Sequence, residues 1–369
     1  MLHYEIINSP KQFSDISHEW EALALIQNCP SVFSDFSWME SWWRHFGSNK
    51  NLYIVAVRQS GSLICIAPLF YTSLYGIKLI QFIGRPGADY NDILIHPDHL
   101  GLAGEIWEYI VHNWGNAILK LDGITKESPS YNFFLAGESK LDRSIHKRII
   151  YNAPFVNITQ NWVDYENSIK KRLVQDTARQ RRRLNGAGEL QFSNISDKTE
   201  VRDLMVQMIK QKIQRFKSTG AKNIFKDKRY KAFYIDISNT FFDKGYLDLS
   251  HIKFMGQILA IHFGFHYGNK FFYYMPSFDL AFGNYSPSRI LLHNLIQKSF
   301  DEHHKEFDFL SGDEAYKYDW TDSYRQVYGI SIYPNNIRGK LLALVYTYVI
   351  PKIKGLTLTK ELTKALRKL

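Results

Sequence analysis

Two blocks of three short apolar segments, one in each half of the chain, limit its possible folds most narrowly. The second block covers residues 246–278, and its segments are separated by the turns Gly256-Gln257 and Gly268-Asn269. Short turns carrying glycine or asparagine are typical of antiparallel hairpins because these residues adopt positive φ angles at little cost. The first half repeats the pattern over residues 52–83, with Gly61 in its first turn. The sequence therefore predicts two antiparallel three-stranded meanders.

Each predicted meander is preceded by helical segments and followed by a helix and one more strand. The apolar residues of 198–217 recur at helical spacing, which predicts a helix before the second meander. After that meander come a helix that begins near Ser286 and a buried strand over residues 306–310. The corresponding helix and strand of the first half are predicted at 100–114 and 117–121. This shared order predicts two α/β domains related by a diverged duplication.

A meander followed by a helix and a parallel strand leaves two neighbouring strands splayed apart. An activated acyl donor can lie in that gap, and this is the layout of the N-acetyltransferase (GNAT) fold. We therefore predict an α/β protein with two tandem GNAT-like domains, each a mixed central sheet with flanking helices. The predicted parts are an N-terminal domain (1–163), a basic linker helix (164–188), a C-terminal domain with the donor site (189–335) and a basic amphipathic tail (336–369).

The composition narrows the class of partner and the compartment. With 45% hydrophobic and 22% charged residues, the 369-residue chain is neither disordered nor collagen-like. The net charge of +10 favours nucleic acid, a phosphorylated cofactor or an anionic membrane face. Cys29 and Cys65 are the only cysteines, which favours a reducing compartment. A signal peptide and an apolar run of about 20 residues are both missing, so we expect a cytoplasmic protein.

Residues 285–289 are the strongest local candidate for donor binding. Ser286 stands where a helix N-cap is expected, and Pro287 suits the first helical position. The free N–H groups and the dipole of a helix start attract phosphate, and an arginine there adds a cation. The alternative is an ordinary helix cap with a surface arginine. The predicted cofactor-binding residues are Tyr285, Ser286, Ser288 and Arg289.

Acids, a lysine and tyrosines follow the strand at 306–310, at an end of the sheet where open α/β folds bind ligands. An amine nucleophile must lose a proton, so Asp313 or Glu314 is a candidate base. Lys317 is a candidate for holding an anionic group. Tyr316, or Tyr274 on the third meander strand, is a candidate for protonating a leaving thiolate. The alternative is an acidic first turn of a helix for this segment, and core packing for most of the strand tyrosines.

One face of the predicted strand at 258–267 carries His262 and His266 with small residues between them. On this face His262 is a candidate acid, base or hydrogen-bond donor. A zinc pair is a weaker hypothesis because no third ligand occurs at a known spacing, and no metal is predicted. The alternative is a pair of histidines on a solvent face.

Two further segments are strongly basic. Residues 166–185 contain seven lysines and arginines against Glu166 and Asp176, and on a helix Arg182 falls on the basic stripe. Such a stripe can hold the phosphates of a nucleotide, a tRNA or a lipid headgroup, although a solvated linker face is the alternative. Residues 340–369 place leucines and valines between lysines, which suggests peripheral membrane contact or packing on the chain's own domain.

Several stretches taken together resemble the acetyltransferase-like proteins often labelled as cellulose-biosynthesis proteins (CelD-like), within the GNAT superfamily. The likeness covers about residues 1–335. The stretches are Phe36-Ser37-Trp38, Trp42 to Gly47, Ile66-Ala67-Pro68-Leu69, Gly84 to Asp92, Ala260 to Phe265, Tyr285 to Arg289 and Phe307 to Lys317.

The resemblance implies a bacterial cytoplasmic protein with an acyl-CoA-dependent transferase domain, linked to exopolysaccharide or envelope assembly. The architecture is similar to that of Fem-type transferases, which add amino acids from tRNA to peptidoglycan precursors. The usual phosphate loop, an Arg or Gln followed by spaced glycines, is absent, and residues 285–289 stand in its place. An aminoacyl-tRNA donor is therefore a second possibility.

We accordingly predict transfer of an acyl group from acyl-CoA, such as acetyl-CoA, to an amine on an amino sugar or an envelope or exopolysaccharide precursor. Trp38, Asp89, Tyr90 and Arg182 are the predicted acceptor-side residues. Two alternatives are a Fem-like aminoacyl-tRNA-dependent transferase and a catalytically degenerate scaffold of a polysaccharide-synthesis complex.

Overall fold

Two α/β units, each built on its own mixed sheet, account for the described part of the chain. The computed structural model describes residues 2–74, 76–136, 141–337, 339 and 341. Unit 1 contains the described parts of 1–151 and 326–369, and unit 2 contains residues 152–325. The predicted basic tail lies outside the described residues from position 342 onward.

Unit 1 contains the first meander. Its strands are β1 (Leu2–Ile7), β2 (Asn51–Gln59), β3 (Ser62–Leu74), β4 (Ile77–Phe82), β5 (Leu94–Ile95), β6 (Ile118–Thr125), β7 (Ser144–Asn157), which continues into unit 2, and β13 (Tyr324–Tyr333). The helices are α1 (Pro10–Asp15), α2 (Ser17–Leu25), α3 (Phe36–Phe46), α4 (Ala103–Asn113) and α5 (Pro129–Leu135).

The strands of unit 1 follow the order β1-β2-β3-β4-β6-β13, with β5 paired to β3, and only the β4–β6 pair is parallel among the pairs of that order. Helix α4 packs Ile106, Trp107 and Ile110 into the core of this sheet, since its apolar residues recur at helical spacing.

Unit 2 contains the second meander. Its strands are β8 (Leu190–Ser193), β9 (Leu247–Phe254), β10 (Gln257–Tyr267), β11 (Lys270–Phe278) and β12 (Glu306–Asp308), besides the end of β7. Strands β9, β10 and β11 form the meander. The sheet has the order β7-β12-β11-β10-β9-β8, in which β11 and β12 are parallel and the other pairs are antiparallel. Its helices are α6 (Trp162–Ser168), α7 (Lys171–Ala187), α8 (Lys198–Thr219), α9 (Lys228–Asp243) and α10 (Pro287–Asp301).

Helices cover both faces of the unit 2 sheet. Helix α10 buries Ile290, Leu291 and Leu295 in one core with Phe271 and Phe307 of the strands. Helices α8 and α9 pack on the same strands, and the Tyr234 ring of α9 lies edge-on to Phe263 of β10. Because side chains of a strand alternate between two faces, both sides of β10 are buried. The predicted fold class, α/β with mixed sheets and flanking helices, is confirmed.

The units differ in extent from the predicted domains. The end of β7 pairs Phe155, Val156 and Asn157 with β12, which places these residues in unit 2. Helix α7, predicted as a linker, buries Leu173 and Leu184 in the same core as α10. Packing therefore divides the chain at 151/152 and 325/326, whereas the sequence predicted 1–163 and 189–335. Within the described residues, the structure contains no helix with the length and apolar character needed to cross a bilayer.

Candidate active site

A gap opens in the unit 2 sheet where β11 and β12 stop pairing. The two strands pair in parallel only from Lys270 to Phe272 on the β11 side. Strand β11 then continues to Phe278, whereas the chain after β12 turns away at Leu310 and Gly312, which both have positive φ angles. The gap contains a cavity of about 490 Å³, here called the β11–β12 cavity. The splayed strands expected from the element order are thus present in unit 2.

The start of α10 forms one wall of this cavity. Pro287 occupies the first turn as predicted, but Ser286 adopts a left-handed conformation (φ 50°, ψ 51°) and its side chain accepts no capping hydrogen bond. Ser286 is thus the N-cap residue of α10 as predicted, but it does not cap the helix through its side chain. The Ser288 hydroxyl also lines the cavity, and its oxygen is buried without a hydrogen-bond partner among the described residues. A helix start with an unused hydroxyl is suited to accept an anionic group.

Arg289 lines the β11–β12 cavity and a second cavity of about 610 Å³, here called the basic cavity. Its guanidinium group pairs with the Asp176 carboxylate of α7, which also pairs with Arg179. Burial opposes ionisation of Asp176, but the two guanidinium groups hold its pKa below the usual value. The basic cavity is lined mainly by Lys170, Arg172, Leu173, Gln175, Arg179 and Asp319, besides the Arg289–Asp176 pair. Positive charge therefore extends from the start of α10 along α7.

The segment after β12 folds around the Lys317 ammonium group. Lys317 Nζ donates to the Ser311 carbonyl at 2.6 Å and contacts the Gly312 carbonyl at 3.4 Å and Glu314 Oε2 at 3.0 Å. Gly312 has a φ angle of 119°, which residues with a side chain rarely adopt, so glycine is favoured there. Lys317 is only 3% exposed. Its three contacts use its three N–H groups, so it fixes the loop and holds the Glu314 carboxylate at the cavity wall.

Three tyrosines line the β11–β12 cavity, namely Tyr273 and Tyr274 of β11 and Tyr316 of the segment after β12. Tyr274 Oη lies 3.0 Å from Tyr234 Oη of α9. Burial, followed by the charge of Glu314, raises the pKa of Tyr316 well above its usual range. Tyr316 therefore stays protonated at neutral pH and can donate a proton toward the cavity.

Lys212 of α8 is a cavity residue that the sequence interpretation missed. Burial lowers the pKa of Lys212 to about 8; the Glu314 carboxylate opposes this shift, and Arg215 and Lys317 add to it. The signal in the sequence was its spacing: Met205, Met208 and Lys212 fall on one helical face, so a lysine stands at a position where the pattern expects an apolar residue.

His262 does not line the β11–β12 cavity. It is fully buried, its Nδ1 atom lies 3.0 Å from Asp248 Oδ1, and its ring stacks on Tyr273 at a centroid distance of 4.7 Å. Burial lowers the pKa of His262, despite the nearby Asp248 carboxylate. The alternative of a solvent face for this strand is therefore wrong, because α10 covers it. The His262 ring thus contacts the cavity-lining Tyr273 from behind.

The structure therefore brings together seven of the predicted site residues and separates the others. The cavity is lined by Tyr274, Ser286, Ser288, Arg289, Glu314, Tyr316 and Lys317. Outside it, the Asp313 carboxylate accepts from Tyr318 Oη at 3.0 Å, and the Arg183 guanidinium lies 4.8 Å from the Tyr285 ring centroid. Arg182 is exposed on α7 and lines neither cavity.

The predicted acceptor residues Trp38, Asp89 and Tyr90 lie in unit 1. Trp38 and Tyr90 are buried against Phe33, and the Asp89 carbonyl accepts a hydrogen bond from Tyr151. The loop at 84–92 lies against β6 beyond the β4–β6 pairing, where the Asn91 N–H donates to the Gly123 carbonyl at 3.0 Å. This loop thus covers the position that corresponds to the gap in unit 2.

Comparison with known proteins agrees with this geometry. Residues 171–318, all within unit 2, match the family described as acetyltransferase (GNAT) domain. No curated protein sequence matches the chain. Residues 171–318 therefore form an acyltransferase domain of the GNAT type.

Solved structures show a similar fold over most of the chain. The crystal structure of FemX is 11% identical with a TM-score of 0.61, and the match covers 93% of this chain and 99% of FemX. The C-terminal domain of a protein assigned as lysylphosphatidylglycerol synthetase from Agrobacterium fabrum is 10% identical with a TM-score of 0.54, over 91% and 96% of the chains. A protein of unknown function from Bacteroides thetaiotaomicron is 11% identical with a TM-score of 0.52, over 90% and 99%. At these identities the similarity establishes the fold, and the CelD-like subfamily remains a prediction.

Proposed function

We propose that unit 2 transfers an acyl group from acyl-CoA to an amine in the β11–β12 cavity. One observation carries this proposal: where β11 and β12 part, a helix start, a carboxylate and a tyrosine hydroxyl line the same space. Holding an activated acyl group beside an amine supplies much of the rate enhancement by itself. The remaining requirements are removal of a proton from the amine and protonation of the leaving group.

The side chains of the cavity suit these two proton transfers. In the proposed reaction the amine nitrogen attacks the thioester carbonyl, and Glu314 accepts the proton that the nitrogen loses. The C–N bond forms, the C–S bond breaks, and Tyr316 donates its proton to the departing thiolate. Backbone N–H groups beside the opened strands stabilise the oxyanion of the tetrahedral intermediate. Lys317 keeps the Glu314 carboxylate in place at 3.0 Å.

The phosphates of the donor are proposed to bind at the start of α10 and in the basic cavity. Ser288 offers a hydroxyl without a partner among the described residues, and Arg289 lines both cavities. Arginine forks match phosphate oxygens, and a helix start adds its dipole. Asp176 competes with the donor because it already pairs with Arg289 and Arg179.

This competition provides a test of donor binding. Arg289→Ala should lower the affinity for coenzyme A by about 10- to 100-fold, the usual range for a charged hydrogen bond. Asp176→Asn should raise the affinity, because it releases two guanidinium groups. Arg202→Ala is the matched control, since this exposed arginine of α8 lines neither cavity. The affinities follow from thermal-shift titrations with coenzyme A and acetyl-CoA. Absence of any concentration-dependent stabilisation would count against an acyl-CoA donor.

Exposed arginines favour an aminoacyl-tRNA as a second candidate donor. Arg172, Arg179, Arg182 and Arg183 of α7 all face solvent, which is the arrangement that a nucleic-acid backbone requires. Under this alternative, the logarithm of the tRNA binding constant should fall linearly with the logarithm of the salt concentration. The double variant Arg182→Glu, Arg183→Glu should abolish tRNA binding. Binding of neither coenzyme A nor tRNA would favour the non-catalytic scaffold.

The proposed acceptor is an amine on an amino sugar or on an envelope or exopolysaccharide precursor. The support is the resemblance of the sequence to the CelD-like proteins. Of the acceptor residues predicted from the sequence, Trp38 and Tyr90 are buried in unit 1, and Arg182 lines neither cavity. Incubation with acetyl-CoA and a panel of free amino sugars and lipid-linked precursors, followed by mass spectrometry, identifies the acceptor by an added acetyl mass. Acylation of none of the amines in the presence of a bound donor would contradict this acceptor class.

A further inference from the structure

A second cluster of potential ligand atoms lies in unit 2 near the C-terminal end of α10. His266 belongs to the end of β10, whereas Glu302 and His304 directly follow α10. None of the three lines the β11–β12 cavity, which is formed by the opposite end of this helix. We propose that His266, Glu302 and His304 form a binding site for one divalent transition-metal ion of the Zn²⁺ type.

The distances between the three side chains suit a single ion. His266 Nδ1 lies 3.1 Å from His304 Nε2 and 3.7 Å from Glu302 Oε2. One ligand atom from each residue falls within 4.8 Å of the others. Ligands about 2.0–2.1 Å from a tetrahedral Zn²⁺ ion are separated by roughly 3.3 Å. Small side-chain rotations therefore bring all three to coordination distance.

The fully buried Asp248 orients the first of these ligands. Its Oδ2 atom lies 3.3 Å from His266 Nε2 and 2.8 Å from Lys298 Nζ, and its Oδ1 atom lies 3.0 Å from His262 Nδ1. A carboxylate paired with lysine can only accept hydrogen bonds, so His266 must carry its proton on Nε2. The lone pair of His266 Nδ1 then points to Glu302 and His304. A carboxylate behind a ligating histidine is the usual outer-shell arrangement of metal sites.

The other two ligands are also held from outside the cluster. Ser299 Oγ lies 3.2 Å from His304 Nδ1, which leaves Nε2 of that ring for an ion. Glu302 Oε1 lies 3.8 Å from Lys298 Nζ, whereas Oε2 faces the imidazoles. The Glu302 side chain is 43% exposed and that of His266 is 22% exposed. An ion can therefore enter from solvent and keep water as its fourth ligand.

The positions of the three ligands along the chain explain why the sequence predicted no metal site. His262 and His266 share a strand face, but His262 is bound to Asp248 and is not a ligand in this site. The second and third ligands come from the chain after α10, which the fold brings to the end of β10. The separation of 36 residues or more between His266 and the other two ligands matches no local zinc-binding spacing.

The test uses the full chain after treatment with EDTA. Titration with Co²⁺, followed by its visible absorption bands, should give one site per chain with the strong bands of tetrahedral coordination. Zn²⁺ should displace the Co²⁺ and raise the melting temperature. Glu302→Gln and His304→Ala should each weaken Co²⁺ binding at least tenfold and abolish the thermal shift.

His303→Asn is the matched control. It removes the neighbouring imidazole, and asparagine tolerates the left-handed conformation (φ 57°) of this position. This variant should bind Co²⁺ like the parent chain. Glu302→Gln keeps the size of an exposed side chain, so its circular dichroism spectrum should be unchanged and loss of binding is not loss of fold. Absence of a saturable Co²⁺ spectrum, or a spectrum unaffected by Glu302→Gln and His304→Ala, overturns the proposal.

Discussion

Tyr273 and Tyr316 both line the β11–β12 cavity, and they lie on either side of the point where the two strands stop pairing. Tyr273 directly follows Phe272, the last paired residue of β11, whereas Tyr316 belongs to the segment after β12. Burial is the main cause that raises the pKa of both hydroxyls, and the charge of Glu314 adds to it. Both groups are therefore protonated at neutral pH.

Tyr316→Phe should lower kcat by about 10²-fold, because general-acid catalysis contributes at least that factor. The affinity for the donor should change little, since the phenol is proposed to act on the leaving group. Steady-state kinetics with varied acetyl-CoA separates the two parameters. Tyr318→Phe is the control, because Tyr318 bonds Asp313 outside the cavity. Equal losses in both variants would mean that Tyr316 acts through the stability of the loop alone.

Glu314→Gln should reduce kcat by about 10²- to 10⁴-fold, since the amide cannot accept the proton of the amine. Asp313→Asn distinguishes the two carboxylates that the sequence offered. Asp313 does not line the cavity, so Asp313→Asn should lower kcat far less than Glu314→Gln does. Steady-state measurement of kcat for both variants checks this order. A larger effect of Asp313→Asn would assign the base to that residue instead.

Donor affinity should fall as the pH rises through about 8. The Lys212 ammonium group attracts the anionic donor only while it is protonated, and burial lowers its pKa to about 8. Phosphate groups with a second pKa near 6 keep a constant charge above pH 7. A change in donor affinity above pH 7 therefore comes from a group of the protein. Dissociation constants for acetyl-CoA, which has no free thiol to titrate, should differ by about fivefold between pH 7 and pH 9.5, corresponding to roughly 1 kcal/mol.

Substitutions at two lysines of α8 check this assignment. Lys212→Arg keeps its charge across the range and should flatten the pH dependence. Lys212→Met should bind the donor weakly at both pH values. Lys217→Met removes the same charge from an exposed position outside the cavity, and it should retain the pH dependence of the parent chain. A pH dependence that persists in Lys212→Arg would assign the titration to another group.

The parts of the fold that local signals determine could be predicted from the sequence. The turns at Gly256 and Gly268 both have positive φ angles, and they delimit the strands of the meander as expected. The gap between β11 and β12 could be predicted from the element order, because no hairpin joins a parallel strand to the meander strand beside it. Seven of the predicted residues meet in the cavity because they lie next to these strand ends or at the start of α10.

The remaining features depend on contacts between distant segments. Lys212 comes to the cavity through packing of α8 on β11, and the burial that lowers its pKa exists only in the folded chain. His262 has the alternation of a half-exposed strand, yet α10 covers that face. Ser286 is the N-cap residue of α10, but it adopts a left-handed conformation and its side chain makes no capping hydrogen bond. Residue types and spacing do not encode these outcomes.

Gly264→Ala should destabilise unit 2 by roughly 1–3 kcal/mol, the usual cost of overpacking a buried site. A Cβ atom at this position would overlap both the His262 ring and the Phe272 carbonyl oxygen. The backbone carbonyl cannot move aside without disturbing the β10–β11 register, which already shifts between Phe263 and Phe265. Urea unfolding followed by fluorescence measures the loss. Gly186→Ala on the exposed part of α7 has open space, so it should stabilise by about 0.5–1 kcal/mol. If Gly264→Ala were as stable as the parent chain, the β10–β11 pair would be shown to accommodate the added Cβ atom. The cavity wall that β11 forms would then not depend on this glycine.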